Sequence, residues 1–493
     1  MRRTVTARPL LASIALATLL AGGALTLATP VAALADDGSA AADASYSASE
    51  PPELSSPAAF LVDPVTGTVL LEKNADEQRE PASTTKVMTA LVVLENADLD
   101  DQVTVEASDF DEVTADSSVA GLVAGETLSV RDLLACLLLP SGNDASYVLA
   151  RHVAGDWQSF VAMMNEKAAE LGCTGTHFAN PCGLPDDAHY TTARDLATIF
   201  SAAAEYPEFV EIAGSATWDL PATSGNPART LHTTDLLVDP ESSVYMDGVV
   251  TAGKTGYTGD AGKCLVVGAE KDGMSLVGVV LGASDAADAS GVTENFYDMR
   301  TMLDWGFGAW EYGEVVSAGD VLLTADVTLS TDGEAVDAQS AGAVVATVPR
   351  GTTLADLTVT PAWQDNEGDA GSFQAPLEEG QALGQAEVSL DGRTLGTVAL
   401  VAASGMGLSV PAFLMWWLSD PVHAAVAVAC VVAVFVAIGL LSSWSSSRRR
   451  SRSRYRMAVG QRRTVSPGVG GQRLKPPAGR SAARSSSGAH RRR

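Results

Sequence analysis

Apolar residues change period along this chain, and each change predicts an element. Ala58-Ala59-Phe60-Leu61-Val62 and Thr68-Val69-Leu70-Leu71 flank Asp63-Pro64-Val65-Thr66-Gly67. With Pro and Gly at the turn positions, that pattern predicts a β-hairpin. After Pro81 the apolar residues fall at Val87, Met88, Leu91, Val92 and Leu94, the spacing of a buried helix. Leu133, Leu134, Leu137, Leu138 and Leu139 predict a second helix stopped by Pro140, and a third is expected from Ser146 through the 160s. Leu265-Val266-Val267-Gly268 and Leu276-Val277-Gly278-Val279-Val280-Leu281 are apolar β runs separated by Lys271-Asp272-Gly273. Strands at both ends of a helical middle predict an α+β domain over residues 57–315, with one sheet joining its two ends.

Beyond Gly313 the helical rhythm stops. Short apolar stretches such as 343–348 and 396–401, set among Gly, Thr and Asp, predict a small β domain over residues 318–403. A juxtamembrane segment is expected at 404–420. Two longer apolar runs stand apart. Leu10 to Leu27 follows Arg2 and Arg3 and precedes Ala33-Leu34-Ala35, which predicts a cleaved signal peptide over residues 1–35. A disordered linker rich in Ala, Ser and Asp follows at 36–56. Val422 to Leu441 carries no charge and is flanked by Trp416, Trp417 and Trp444, which predicts a transmembrane helix over 421–442.

Charge sets the expected orientation. Residues 442–493 hold 15 Lys or Arg and no Asp or Glu, so the tail, 443–493, is expected on the cytoplasmic side. Of 32 Lys and Arg, 15 lie in that tail and three in the leader, which leaves 14 against 60 Asp and Glu, a formal charge of −46 on the remainder. So acidic a body argues against nucleic acid as a partner and for a solvated surface outside the membrane. Cys136, Cys173, Cys182 and Cys264 are scattered. Cys173 and Cys182 are close enough for a disulfide, and buried free thiols fit equally well. None of the six His stands in a zinc-peptidase pattern, and no metal or cofactor is implied.

Three short motifs carry the chemistry. Lys occurs at only seven positions, yet two of them complete Ser83-Thr84-Thr85-Lys86 and Lys254-Thr255-Gly256, with Ser141-Gly142-Asn143 between. Residues three apart share a helix face, which brings Lys86 under the Ser83 hydroxyl at a helix start. For Lys86 to take the proton it must be neutral, which requires burial and a neighbouring cation such as Lys254. Ser141 and Asn143 follow a helix and a Pro, where a tight loop turns both side chains into a cleft; Ser141 would relay a proton to a leaving amine and Asn143 hold a substrate amide. Gly256 bares a strand edge for an extended peptide whose terminal carboxylate Lys254 and Thr255 engage. A second Ser-x-Asn, Ser224-Gly225-Asn226, precedes Pro227 in a polar loop and reads as a turn. Each motif alone is weak; their order in one domain, separated by 58 and 113 residues, is specific.

With Glu80-Pro81-Ala82 before the first motif, and with Asn180-Pro181-Cys182-Gly183-Leu184 and His189-Tyr190-Thr191-Thr192-Ala193-Arg194-Asp195, the chain resembles the low-molecular-mass penicillin-binding proteins, serine-type D-alanyl-D-alanine carboxypeptidases. The resemblance covers roughly residues 55–310. It implies a β-lactamase/transpeptidase-like domain, an antiparallel sheet with a helical cluster. It implies Ser83 as nucleophile, Lys86 as base, Ser141 and Asn143 in the cleft, Lys254, Thr255 and Gly256 against the substrate, and the amides of Ser83 and Tyr257 as oxyanion hole. Peptidoglycan stem peptides are the implied substrate and β-lactams the implied inhibitors. Two departures stand out: the family usually has Asn at Asp235, and many relatives end in an amphipathic helix rather than a spanning one. His189, Tyr190 and Asp195 read as structural, Asp195 as a helix cap. Two other readings share the motifs. A class A β-lactamase needs a Glu four residues before an Asn, and position 176 is Thr. A non-enzymatic wall-binding protein would not need nucleophile, base and carboxylate site intact.

Overall fold

The expected hairpin forms from β1 (Ala58–Asp63) and β2 (Thr68–Lys73), paired antiparallel across a turn whose Asp63 carboxylate accepts the Val65 N–H at 2.8 Å. The computed structural model describes residues 50–364 and 371–459. The leader of residues 1–35, most of the linker and the tail beyond 459 lie outside the described residues. Two compact units divide the chain. The first runs to Gly313 and takes in Ala346–Asp356 and Leu390–Arg393; the second comprises Glu314–Val345, Leu357–Ser389 and the chain from Thr394 onward.

In the first unit the helical middle begins with α1 (Lys86–Asn96), and a short ribbon of β3 (Gln102–Thr104) and β4 (Thr127–Ser129) follows. Then come α2 (Val130–Leu138), α3 (Asn143–Ala154), α4 (Trp157–Glu170), α5 (Ala193–Ala204), α6 (Pro207–Ala213) and a second ribbon, β5 (Thr217–Leu220) with β6 (Arg229–His232). The chain closes with β7 (Val250–Thr258), β8 (Gly262–Lys271), β9 (Met274–Ala283) and α7 (Glu294–Ala309). One antiparallel sheet, in the order β2-β1-β9-β8-β7, joins the two ends as expected. Burial of Met88, Leu91, Leu134, Leu149 and Phe200 with Val266 and Val279 makes a core between helices and sheet.

The long third helix expected from Ser146 is instead two. Gly155 sits in the left-handed region at φ 85° and ends α3, and Asp156 accepts the Ser159 N–H at 2.7 Å to start α4. Gly supplies a C-cap and Asp an N-cap, and together they override an apolar rhythm that runs on through both segments.

β10 (Trp310–Val316) pairs with β13 (Val344–Pro349), and each of these strands is divided between the two units. The second unit is otherwise all-β apart from its end. A six-stranded sheet has the order β14-β16-β17-β12-β11-β15, formed by β11 (Val321–Thr328), β12 (Ala335–Ser340), β14 (Thr358–Trp363), β15 (Ser372–Gln374), β16 (Ala382–Leu390) and β17 (Arg393–Ala402). Its core holds Val327, Val336, Phe373, Leu383 and Leu400. An unanticipated helix, α8 (Val410–Ser419), precedes α9 (Pro421–Val459). Residues Pro421–Ser445 of α9, 25 residues that include an 18-residue stretch of mean hydropathy 2.9 with none of it buried, are long and apolar enough to cross a membrane. At 1.5 Å per residue they reach about 37 Å, more than a hydrocarbon core of about 30 Å.

Candidate active site

Ser83 lies on a 3-10 turn, Ala82–Thr85, that runs directly into α1. Three residues per turn eclipse i and i+3, so Lys86 returns under Ser83 more directly than an α-helix would bring it. Its Nζ stands 2.7 Å from Ser83 Oγ, 2.7 Å from Asn143 Oδ1 and 2.9 Å from the Cys182 carbonyl oxygen. Two of these neighbours can only accept. They take two N–H groups and leave the third direction of the amine facing a hydroxyl, which can give or receive a proton. Lys86 is wholly buried. Burial pushes its pKa down to about 8, against smaller upward pulls from Cys182 and Asp144.

The second motif follows α2. Ser141 adopts φ 61°, a left-handed conformation costly for a residue with a Cβ. Its hydroxyl is buried and has no hydrogen-bond partner among the described residues. Gly142 is required here, because a Cβ would stand 2.7 Å from the Cys136 carbonyl and 2.6 Å from Asp144 Oδ1. Asn143 does not stand free for a ligand: Oδ1 accepts from Lys86, and Nδ2 donates to Ser117 Oγ at 3.0 Å. Asp144, which sequence reasoning passed over, accepts the N–H groups of Ala120, Leu122 and Ala145 and pins the loop that carries Ser117.

On the other side runs β7. A Cβ at Gly256 would stand 2.8 Å from the Pro81 carbonyl and 3.1 Å from the Ser83 nitrogen, so glycine lets this strand close on the serine turn. Lys254 is buried and donates to the Thr255 carbonyl at 2.9 Å. Burial holds its pKa well below the ordinary lysine value, Lys86 adds to that, and Asp235 opposes it. The Thr255 hydroxyl meets that of Thr234 at 2.6 Å. Tyr257 is exposed, its hydroxyl on Asp285 and its ring under Lys263.

A fourth segment, quoted for its resemblance but given no role, is part of the site. Asn180 Oδ1 accepts the N–H groups of Cys182, Gly183 and Leu184, folding the loop that presents the Cys182 carbonyl to Lys86. Thr89 donates to the Pro181 carbonyl at 2.6 Å and fastens this loop to α1. His189 supports it structurally. Nδ1 accepts the Ala179 N–H at 3.1 Å, which leaves Nε2 to donate to Thr85 Oγ1 at 2.8 Å. Burial lowers its pKa to about 4. Asp195 lies in the first turn of α5, but the cap is Thr192; the Asp195 carboxylate accepts from Gly175 N–H and the Thr176 hydroxyl instead. Cys173 and Cys182 are free buried thiols.

A hydroxyl held against a buried amine, with a Ser-x-Asn turn on one side and a Lys-Thr-Gly strand on the other, defines an acyl-transferring serine hydrolase. Residues 45–285 match the family model for D-alanyl-D-alanine carboxypeptidase, and residues 310–406 that for the C-terminal domain of penicillin-binding protein 5. The chain belongs to the D-alanyl-D-alanine carboxypeptidase family. It is 33% identical over 356 residues to the D-alanyl-D-alanine carboxypeptidase DacC of Escherichia coli, covering 70% of this chain and 83% of that one. With DacF of Bacillus subtilis it shares 28% identity over 396 residues, 79% of this chain and 94% of the relative. Among solved structures, penicillin-binding protein 5 from Haemophilus influenzae superposes with a TM-score of 0.54 at 27% identity, covering 72% of this chain and 99% of that chain.

Proposed function

We propose that this chain removes the terminal D-alanine from peptidoglycan stem peptides through an acyl-enzyme on Ser83. Lys86 in its neutral form takes the Ser83 proton as Oγ attacks the carbonyl of the penultimate D-alanine. The N–H groups of Ser83 and Tyr257 receive the developing oxyanion, each donor worth about 3 kcal/mol. Ser141 passes a proton to the leaving amine, free D-alanine departs, and water then cleaves the ester and restores the hydroxyl. Asn143 serves first as a holder of Lys86; it meets a substrate amide by releasing Ser117. Lys254 and Thr255 receive the terminal carboxylate, and Gly256 leaves the strand edge open to the peptide backbone. β-Lactams acylate the same oxygen. The catalytic unit faces the outside, α9 spans the membrane, and the basic tail lies in the cytoplasm.

The observation that carries this reading is the 2.7 Å approach of a buried, pKa-lowered Lys86 to Ser83. Its test is release of D-alanine from a soluble pentapeptide ending in D-Ala-D-Ala. The wild type releases it and Ser83→Ala does not; equal behaviour of the two proteins refutes the reading.

A further inference from the structure

Two of the three groups that hold Lys86 belong to the sequence motifs; the third is a backbone oxygen. The Cys182 carbonyl accepts from Nζ at 2.9 Å, and it lies in residues 180–184, which form neither helix nor strand. Side chains must therefore fix its direction. Asn180, 8% exposed, does so: its Oδ1 accepts the N–H groups of Cys182 at 3.2 Å, Gly183 at 2.7 Å and Leu184 at 3.0 Å, while Nδ2 donates to the Leu184 carbonyl at 2.8 Å. Gly183, at φ 89°, gives the turn that lets successive N–H groups face one oxygen. A carboxylate could accept all three; the fourth contact needs a donor, which selects Asn. A peptide group is planar, with its N–H and C=O directed oppositely. The Gly183 N–H and the Cys182 carbonyl are the two ends of one such group, so Asn180 grips it at one end and Lys86 at the other. The preceding group is gripped in the same way, with Asn180 on the Cys182 N–H and Thr89 donating to the Pro181 carbonyl at 2.6 Å. Lys86 and Thr89 are three apart on α1 and share a face. Two consecutive peptide groups thus bridge one buried side chain to one face of α1.

We propose that Asn180 is a positioning residue for Lys86: by orienting and polarising the Cys182–Gly183 peptide group, it aims the amine at Ser83. The proposal rests on the reading of Lys86 as the base. Hydrogen bonds in series strengthen one another, so the pull of Asn180 on the Gly183 N–H makes the Cys182 carbonyl a better acceptor for an ammonium. Without Asn180 that acceptor weakens and turns away. The protonated form of Lys86 then loses support, and the amine loses a contact that leaves its remaining direction facing Ser83. The charged and titratable groups that face Lys86 are Asp144 from α3, Lys254 from β7 and the Cys182 thiol, kept neutral by burial; a neutral substitution at Asn180 changes the charge of none of them.

The test is β-lactam acylation of the full-length protein, followed by stopped flow between pH 6 and 10, with thermal melting alongside. Asn180→Ala is expected to lower the alkaline plateau about tenfold and to move the midpoint of the rise down by about one pH unit, the size set by weakening one hydrogen bond to a charged group. Asn180→Asp keeps an acceptor for the three N–H groups and adds a negative charge, so it should recover most of the plateau and move the midpoint above that of wild type. Should Asn180→Ala fail to fold, the upward shift in Asn180→Asp still decides. A midpoint unchanged in both variants, whatever happens to the melting temperature, or shifted the same way in both, overturns the proposal. A flat profile in the wild type would instead remove Lys86 as base, and with it the reading on which the proposal rests.

Discussion

At the scale of the residue, the site turns on how few groups surround one amine. The Ser-x-x-Lys spacing was legible in the sequence, because residues three apart meet on either kind of helix; that Ser83 sits on a 3-10 turn changes the directness of the approach, not its existence. What the sequence could not show is the third partner. The Cys182 carbonyl is a backbone atom 96 positions away, and no residue type signals it. Burial of Lys86 sets a pH dependence whose sign follows from its proposed role as base. With the neutral amine as the active form, β-lactam acylation should be slow at low pH, rise through about pH 8 and level off above it. Stopped-flow acylation rates between pH 6 and 10 measure this directly. Lys86→Met fills the same space without a base and should slow acylation by about 10² to 10⁴-fold while leaving the thermal transition near that of wild type.

At the scale of the element, what matters is how the 180–184 loop, the serine turn and β7 close on one another. Gly183 has φ 89°, and a Cβ there would stand 1.9 Å from the Ala82 carbonyl. Gly183→Ala must displace the turn that carries Ser83, so it should lower stability by about 1 to 3 kcal/mol and weaken penicillin labelling together, as read by melting curves and gel fluorescence. His189 adds an acid-sensitive tie between this loop and α1. Its folded pKa of about 4 lies below the ordinary 6.5, so the unfolded chain binds its proton first as pH falls. Stability from this group is complete above pH 6.5 and drains away toward pH 4, by up to about 3 kcal/mol. His189→Gln should flatten that part of a stability curve measured by urea unfolding. The β1–β2 hairpin was legible from its Pro and Gly turn, and β8, β9, β13 and β17 from short apolar runs; β3, β4, β5 and β6, three or four residues each, are too short to carry a pattern. The break between α3 and α4 is written in Gly155-Asp156, but apolar positions at Val153, Trp157 and Phe160 continue across it, so periodicity alone does not reveal it.

At the scale of the whole molecule, composition foretold more than local pattern did. An α+β body, an all-β domain and an apolar helix after it were all readable from shifts in residue usage. Helix α8 was not: residues 404–420 were expected only as a juxtamembrane segment, because ten mostly apolar residues carry no clear polar face to mark a helix; Pro421 after Asp420 separates α8 from α9. Ending the chain after residue 409 removes both helices. The shortened protein should leave the membrane fraction for the soluble one and still release D-alanine from soluble peptide, checked by fractionation and assay of the same preparation. The central claim concerns one oxygen atom in the intact protein, and mass spectrometry with a penicillin addresses it most directly. One equivalent of drug mass should appear on the full-length chain, map to the peptide containing Ser83, and vanish in Ser83→Ala; a label on any other residue, or one that persists in the variant, would contradict the account.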